Sequence, residues 1–180
     1  MVQPVFDLYL ANRTDSCRFL LGRAGVRPLF VVGLNPSTAN REKSDVTATK
    51  VARIAERSDY DGFVMSNLYP KRSTDPLQLP ERADHRLLNR NFEAILALAA
   101  QQSQPHFWAA WGGDISTRPW LLRVCRRLVY EVGKLEGRWF CFGPGGGRTL
   151  TKAGHPRHPS RLSYAWQLQA FDAKAYLADL

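Results

Sequence analysis

Apolar residues in this chain fall into two kinds of run. Short unbroken runs, LFVV from Leu29, GFVM from Gly62, HFWAAW from His106 and RWFCF from Arg138, suit strands buried on both faces. Between them apolar residues recur three and four apart, the period of a helix with one buried side. Ser44 or Asp45 can cap a helix running to about Arg57, with Val51, Ile54 and Ala55 facing inward. Arg82 to Ala100 predicts a second helix, with Leu88, Phe92, Ile95, Leu96 and Ala99 on one side. Pro119 fits the first turn of a third, whose buried face is Leu122, Cys125, Leu128, Val129 and Val132. Ahead of this alternation, VFDLYL and CRFLLGR predict two short strands forming a hairpin at a sheet edge. A last helix closes the chain.

Strand and helix in alternation predict an α/β fold. The expectation is a three-layer sandwich around a central four-stranded, mainly parallel sheet, with a short N-terminal β extension. A length of 180 residues suits one domain, with N-terminal strands over 1–27 and a core over 28–180. In such sheets ligands bind beyond the carboxyl ends of the strands. Here each strand runs into a polar or glycine-rich segment: Asn35-Pro36-Ser37, Asn67 to Arg72, Gly112-Gly113-Asp114, and Gly143 to Ser163. The polar chemistry is therefore expected on one rim.

Charge sharpens that picture. Lys and Arg number 25 against 16 Asp and Glu, a net charge of +9, which favours a nucleic-acid or nucleotide partner over a basic surface with no partner. Lys71, Arg72, Arg148, Lys152, Arg157 and Arg161 all fall in the expected rim segments, placed for phosphate contact. No apolar run approaches a membrane span, and the N-terminal stretch lacks a signal-peptide pattern, so a cytoplasmic location is expected. Cys17, Cys125 and Cys141 are scattered, with no CxxC, and the HxxH from His155 to His158 lacks a recognised zinc spacing, so no metal site is expected. The GPGGGR loop has no following Lys-Ser/Thr pair and is no Walker loop, and no GxSxG elbow occurs. Asp75 and Asp84 suit structural roles at turns.

Three segments read together carry a resemblance: GLNPS after the first core strand, SNLYP at the end of the second, and HPSRLS after the fourth. In this order they resemble the motifs of the uracil-DNA glycosylase superfamily, and FWAAWGG is similar to its third strand. A closer resemblance, in LNPSTAN, NLYPKRSTDP and GHPRHP, is to a bacterial and phage family of domains of unknown function, family 1643.

The glycosylase resemblance implies hydrolysis of a base–sugar bond without a cofactor, by a protein assumed monomeric. His158 matches the loop histidine that donates to the departing base anion; a second register puts His155 there instead. Asn35 matches the residue that orients water, with Pro36 and Ser37 completing the first motif. Asn67 matches the amide that reads a base edge. Tyr69 and Trp111 are the candidates to stack on the base. Ser160 and Ser163 match phosphate contacts, joined by Lys71, Arg72, Arg157 and Arg161. Leu162 matches the apolar wedge that replaces a flipped nucleotide. Three departures stand out: Asn35 where some members carry Asp, Ser37 where a tyrosine is common, and Arg161 for the second proline of the closing loop. The expected partner is nucleic acid, DNA ahead of RNA, or a nucleotide. A non-catalytic binding module and an enzyme for free modified nucleotides are the alternatives.

Overall fold

The computed structural model describes residues 6–146 and 149–180. Val5 of the first expected strand, and Gly147 and Arg148 of the glycine-rich loop, lie outside the described residues. Seven strands form one mixed sheet: β1 (Leu8–Ala11), β2 (Arg18–Arg23), β3 (Pro28–Gly33), β4 (Gly62–Asn67), β5 (His106–Ala109), β6 (Arg138–Gly143) and β7 (Gln167–Ala170), in the order β1-β2-β4-β3-β5-β6-β7. The four-stranded sheet expected from the apolar runs is thus corrected to seven strands. The inner four, β4, β3, β5 and β6, pair in parallel. The predicted hairpin of β1 and β2 lies antiparallel beside β4 at one edge. β7 closes the other edge, antiparallel to β6.

Because successive strand residues face opposite sides, the buried strands feed two cores. Leu29, Val31, Phe63, Met65 and Trp108 pack with Ala48, Val51, Ile54 and Ala55 of helix α1 (Val46–Arg57). Phe30, Val32, Val64 and Phe107 pack with α2 (His85–Ala99) and α3 (Pro119–Lys134), joined by Tyr176 and Leu177 of the short α4 (Ala173–Ala178). Asp45, not Ser44, caps α1, accepting from the Ala48 amide at 2.8 Å. Asp84 caps α2, and Asp75 caps the turn at Pro76. On α3 the buried stripe turns toward Leu121 and Val124, leaving Leu122 half-buried. Among the described residues, no helix is long and apolar enough to cross a membrane.

Candidate functional site

The parallel strands set the position of the cleft. Segments following β3 and β5, the last residue of β4 and the loop around His158 enclose a space of about 600 Å³. Asn35, Asn67 and His158 all line it, together with Ser37, Trp111, Arg157, Ser160 and Arg161.

Backbone groups orient the Asn35 amide and the His158 imidazole, but not the Asn67 amide. The Asn35 Nδ2 donates to the Ser73 carbonyl at 2.8 Å and the Pro36 carbonyl at 3.2 Å. Two carbonyl acceptors fix which way the amide points, and its Oδ1 has no partner among the described residues. Pro36 itself is buried; its carbonyl also accepts the Ser73 amide at 2.9 Å, tying the LNPSTA segment to KRSTDP. Asn67 is 3% exposed, and its Nδ2 is buried without a hydrogen-bond partner among the described residues. Its backbone is held from behind, where Asn91 of α2 donates to the Asn67 carbonyl at 2.8 Å. Gly33 leaves the room for this amide: a Cβ there would stand 2.7 Å from the Asn67 Oδ1.

His158 caps the short turn Pro159–Arg161. The Ser160 amide donates to its Nδ1 at 3.3 Å, and the Ser160 hydroxyl lies 2.8 Å from the same atom. A nitrogen that accepts an amide hydrogen carries none of its own, so the ring hydrogen sits on Nε2. The ring is exposed to the cleft but crowded by protein on its other sides. That desolvation lowers its pKa, with Arg161 acting the same way and Asp114 and Asp45 opposing. The loop is clamped from α1, where the Lys50 ammonium donates to the Ser160 and Leu162 carbonyls at 2.8 and 3.0 Å. Gly112 (φ +73°) brings the β5 loop against it, where a Cβ would touch the His158 Cβ at 3.4 Å.

His155 has a different place. It is 6% exposed, outside the cleft lining, with Nδ1 2.9 Å from the Tyr176 hydroxyl and Nε2 3.4 Å from the Ser116 hydroxyl. Tyr176 also accepts from the Trp111 Nε1 at 3.3 Å. The first of the two histidines is therefore a bolt between loop and α4, and of the two registers it is the His158 one whose histidine lines the cleft.

Pro36, Tyr69, Lys71, Arg72, Leu162 and Ser163 do not line the cleft either. Tyr69 is 1% exposed and stacks edge-on against Trp120, so of the two aromatic candidates only Trp111 reaches the cleft. Leu162 is buried with Val51 and Phe142, which takes away the protruding wedge. Arg72 spends its guanidinium on the Asp15, Ser37 and Ala39 carbonyls, the Tyr9 hydroxyl and the Asp15 carboxylate. Ser163 caps the following turn by accepting from the Ala165 amide. Lys71 is exposed, and Arg157, which lines the cleft, lies over the Trp166 ring while donating to the Leu150 carbonyl.

The cleft also holds Arg18 and Thr47, which lie outside the motifs and rim segments, beside Thr74 of NLYPKRSTDP and Asp114 of the expected rim. Arg18 alone of the first two left a sequence signal, a charge inside the apolar strand CRFLLGR. Among the described residues, no three His, Cys, Asp or Glu side chains form a metal-binding group.

Residues 18–160 match the family described as protein of unknown function, DUF1643. The chain belongs to that family. The match spans the whole cleft except the residues beyond Ser160, so the DUF1643 region and the described site largely coincide. No curated protein and no solved structure matches this DUF1643 chain.

Proposed function

We propose that this DUF1643 protein holds a nucleotide unit in the rim cleft and hydrolyses its base–sugar N-glycosidic bond, the reaction implied by the resemblance to the uracil-DNA glycosylase superfamily. The observation that carries the reading is the orientation of His158. With Nδ1 occupied by the Ser160 amide, the free donor of the ring is Nε2–H, and a lowered pKa keeps the ring neutral at pH 7. A neutral donor suits a leaving base that takes up the electron pair of the broken C–N bond. The Asn35 Oδ1 is an acceptor for the water whose oxygen bonds to the sugar carbon, and the water's released proton ends on the base. The Asn67 amide offers both a donor and an acceptor to a base edge. This hydrolysis needs no cofactor.

The burial of Leu162 favours an unpaired substrate over a base drawn from a duplex, because no side chain at that position is left to fill the vacated stack. The reading is tested by base release. Labelled single-stranded oligonucleotides carrying uracil, hypoxanthine or xanthine, and a duplex with a G·T mismatch, are incubated with the protein and then cleaved at abasic sites with alkali. The expected result is breaks in a single-stranded substrate that fall about 100- to 1,000-fold in His158→Ala. Retention of the oligonucleotide with no breaks would reject hydrolysis and leave a binding module. Neither breaks nor retention would move the substrate to free nucleotides, assayed as released base.

A further inference from the structure

Arg18 is the least expected residue in the cleft. β2 runs antiparallel to β4, so its first residue, not its last, arrives at the carboxyl rim. The Arg18 amide donates to the Pro70 carbonyl at 2.9 Å, and the side chain lines the cleft while only 2% exposed. Its Nη1 donates to the Ala39 carbonyl at 2.8 Å, but its Nε is buried without a hydrogen-bond partner among the described residues. No carboxylate among the described residues lies within ion-pairing distance; the two ion pairs there are Arg72–Asp15 and Lys134–Glu131.

The surrounding charges leave the cation unbalanced. Asp45 is nearby, but its carboxylate oxygens accept from the Ala48 and Ala39 amides. Asp15 is engaged by Arg72 and by the Tyr9 hydroxyl. Arg72 adds a second positive charge. Burial and that neighbour lower the Arg18 pKa to about 10, which leaves the side chain charged at neutral pH. A buried guanidinium without a counter-charge is costly unless an anion is drawn to it. The same cleft presents the hydroxyls of Ser37, Thr47 and Thr74, none with a hydrogen-bond partner among the described residues. A planar cation with hydroxyl donors around it is a donor set for a multiply charged oxyanion.

We infer that Arg18 binds a phosphoryl group of the substrate, so that the cleft recognises a phosphorylated nucleotide and not a bare nucleoside. This rests on the cleft being a nucleotide site. The phosphoryl group belongs either to a mononucleotide or to the backbone of a single strand, and the two are separable by experiment.

The test is calorimetric titration at constant ionic strength, with uridine and inosine, their 5′-monophosphates, and a single-stranded oligonucleotide with a 5′-hydroxyl. Thermal unfolding with inorganic phosphate runs alongside. The wild type is expected to show a saturable rise in Tm with phosphate, and a monophosphate or oligonucleotide that binds about 10- to 100-fold tighter than the nucleoside. Arg18→Met removes both effects and Arg18→Lys keeps part of them. A gain confined to the monophosphate assigns a terminal phosphate; a gain confined to the oligonucleotide assigns the backbone. The inference is overturned if phosphate leaves the wild type unmoved, a result that needs no variant to fold, or if Arg18→Met retains the gain. Base release without any phosphate dependence rejects this subsite alone. Phosphate-dependent binding without base release rejects the hydrolysis alone.

Discussion

Arg18 and Arg72 share one acceptor: each donates through Nη1 to the Ala39 carbonyl, at 2.8 and 2.9 Å. The two guanidiniums differ in everything else. Arg72 comes from the KRSTDP segment and finds acceptors for every side of its fork, including the Asp15 carboxylate. Arg18 reaches the same oxygen from β2 and lines the cleft, with its Nε left without a hydrogen-bond partner among the described residues. The same guanidinium fork is thus fully engaged as a brace in Arg72 and only partly engaged in Arg18.

Arg72 is accordingly a stability residue. Arg72→Met leaves the Ser37 and Asp15 carbonyls without this donor, while Ala39 keeps Arg18, and an unfolding free energy lower by about 2–3 kcal/mol is expected in urea titration. The salt dependence of oligonucleotide binding should not change. A salt slope smaller by about one, with stability unmoved, would make Arg72 a phosphate contact instead.

Gly33→Ala tests the Asn67 amide without touching it. The new methyl would fall 2.7 Å from the Asn67 Oδ1, the far end of a side chain that can swing away. The fold therefore absorbs the change at a cost of about 1 kcal/mol, while the amide leaves its place in the cleft. The expected outcome is a near-normal Tm with ligand affinity reduced about 10-fold or more. Unaltered affinity would remove Asn67 from base recognition.

Tyr176 joins Trp111 of the cleft wall to His155 of the closing loop: its hydroxyl accepts from the Trp111 Nε1–H, a donor only, and lies 2.9 Å from the His155 Nδ1. Tyr176→Phe strands the Trp111 Nε1 and the His155 Nδ1 in a buried setting. A loss of about 1–3 kcal/mol is expected by chemical denaturation. A loss below about 0.5 kcal/mol, the size of an ordinary surface change, would mean that the bolt carries no weight.

How much of this could be read from the sequence depends on what burial does to a pattern. β3 to β6 were legible because strands covered on both faces have no polar residue to interrupt them, and the helices because one face must be apolar. β7 was not: Gln167–Ala170 is an edge strand with half-exposed residues, and its QLQA leaves almost no apolar signature. Motif order brought Asn35, Asn67 and His158 to notice, and they line one cleft. Motif position does not tell a lining residue from a buried one: Leu162 and Tyr69 stand at motif positions but belong to the cores. The apolar content of CRFLLGR marks Arg18 only as part of a strand, and it is the antiparallel course of β2 that brings its first residue to the rim.

His158 makes a prediction in which the sign matters. Desolvation holds its pKa below the ordinary histidine value of 6.5, so the folded protein takes up this proton less readily than the unfolded chain. Above that value both states carry a neutral ring and the group has no effect on stability. As the pH falls through the unfolded value, the unfolded chain gains a proton that the fold refuses. Stability drops until the pH passes below the folded value, and His158→Gln should flatten this part of the curve. The charges around the ring allow a direct check by NMR titration of the imidazole. Asp114 opposes the downward shift and Arg161 adds to it. Asp114→Asn should therefore move the titration midpoint lower, and Arg161→Gln should move it higher. Shifts of the opposite sign would mean that the ring does not sit between these two groups. The neutral Nε2–H donor assigned to the cleft would then lose its electrostatic support.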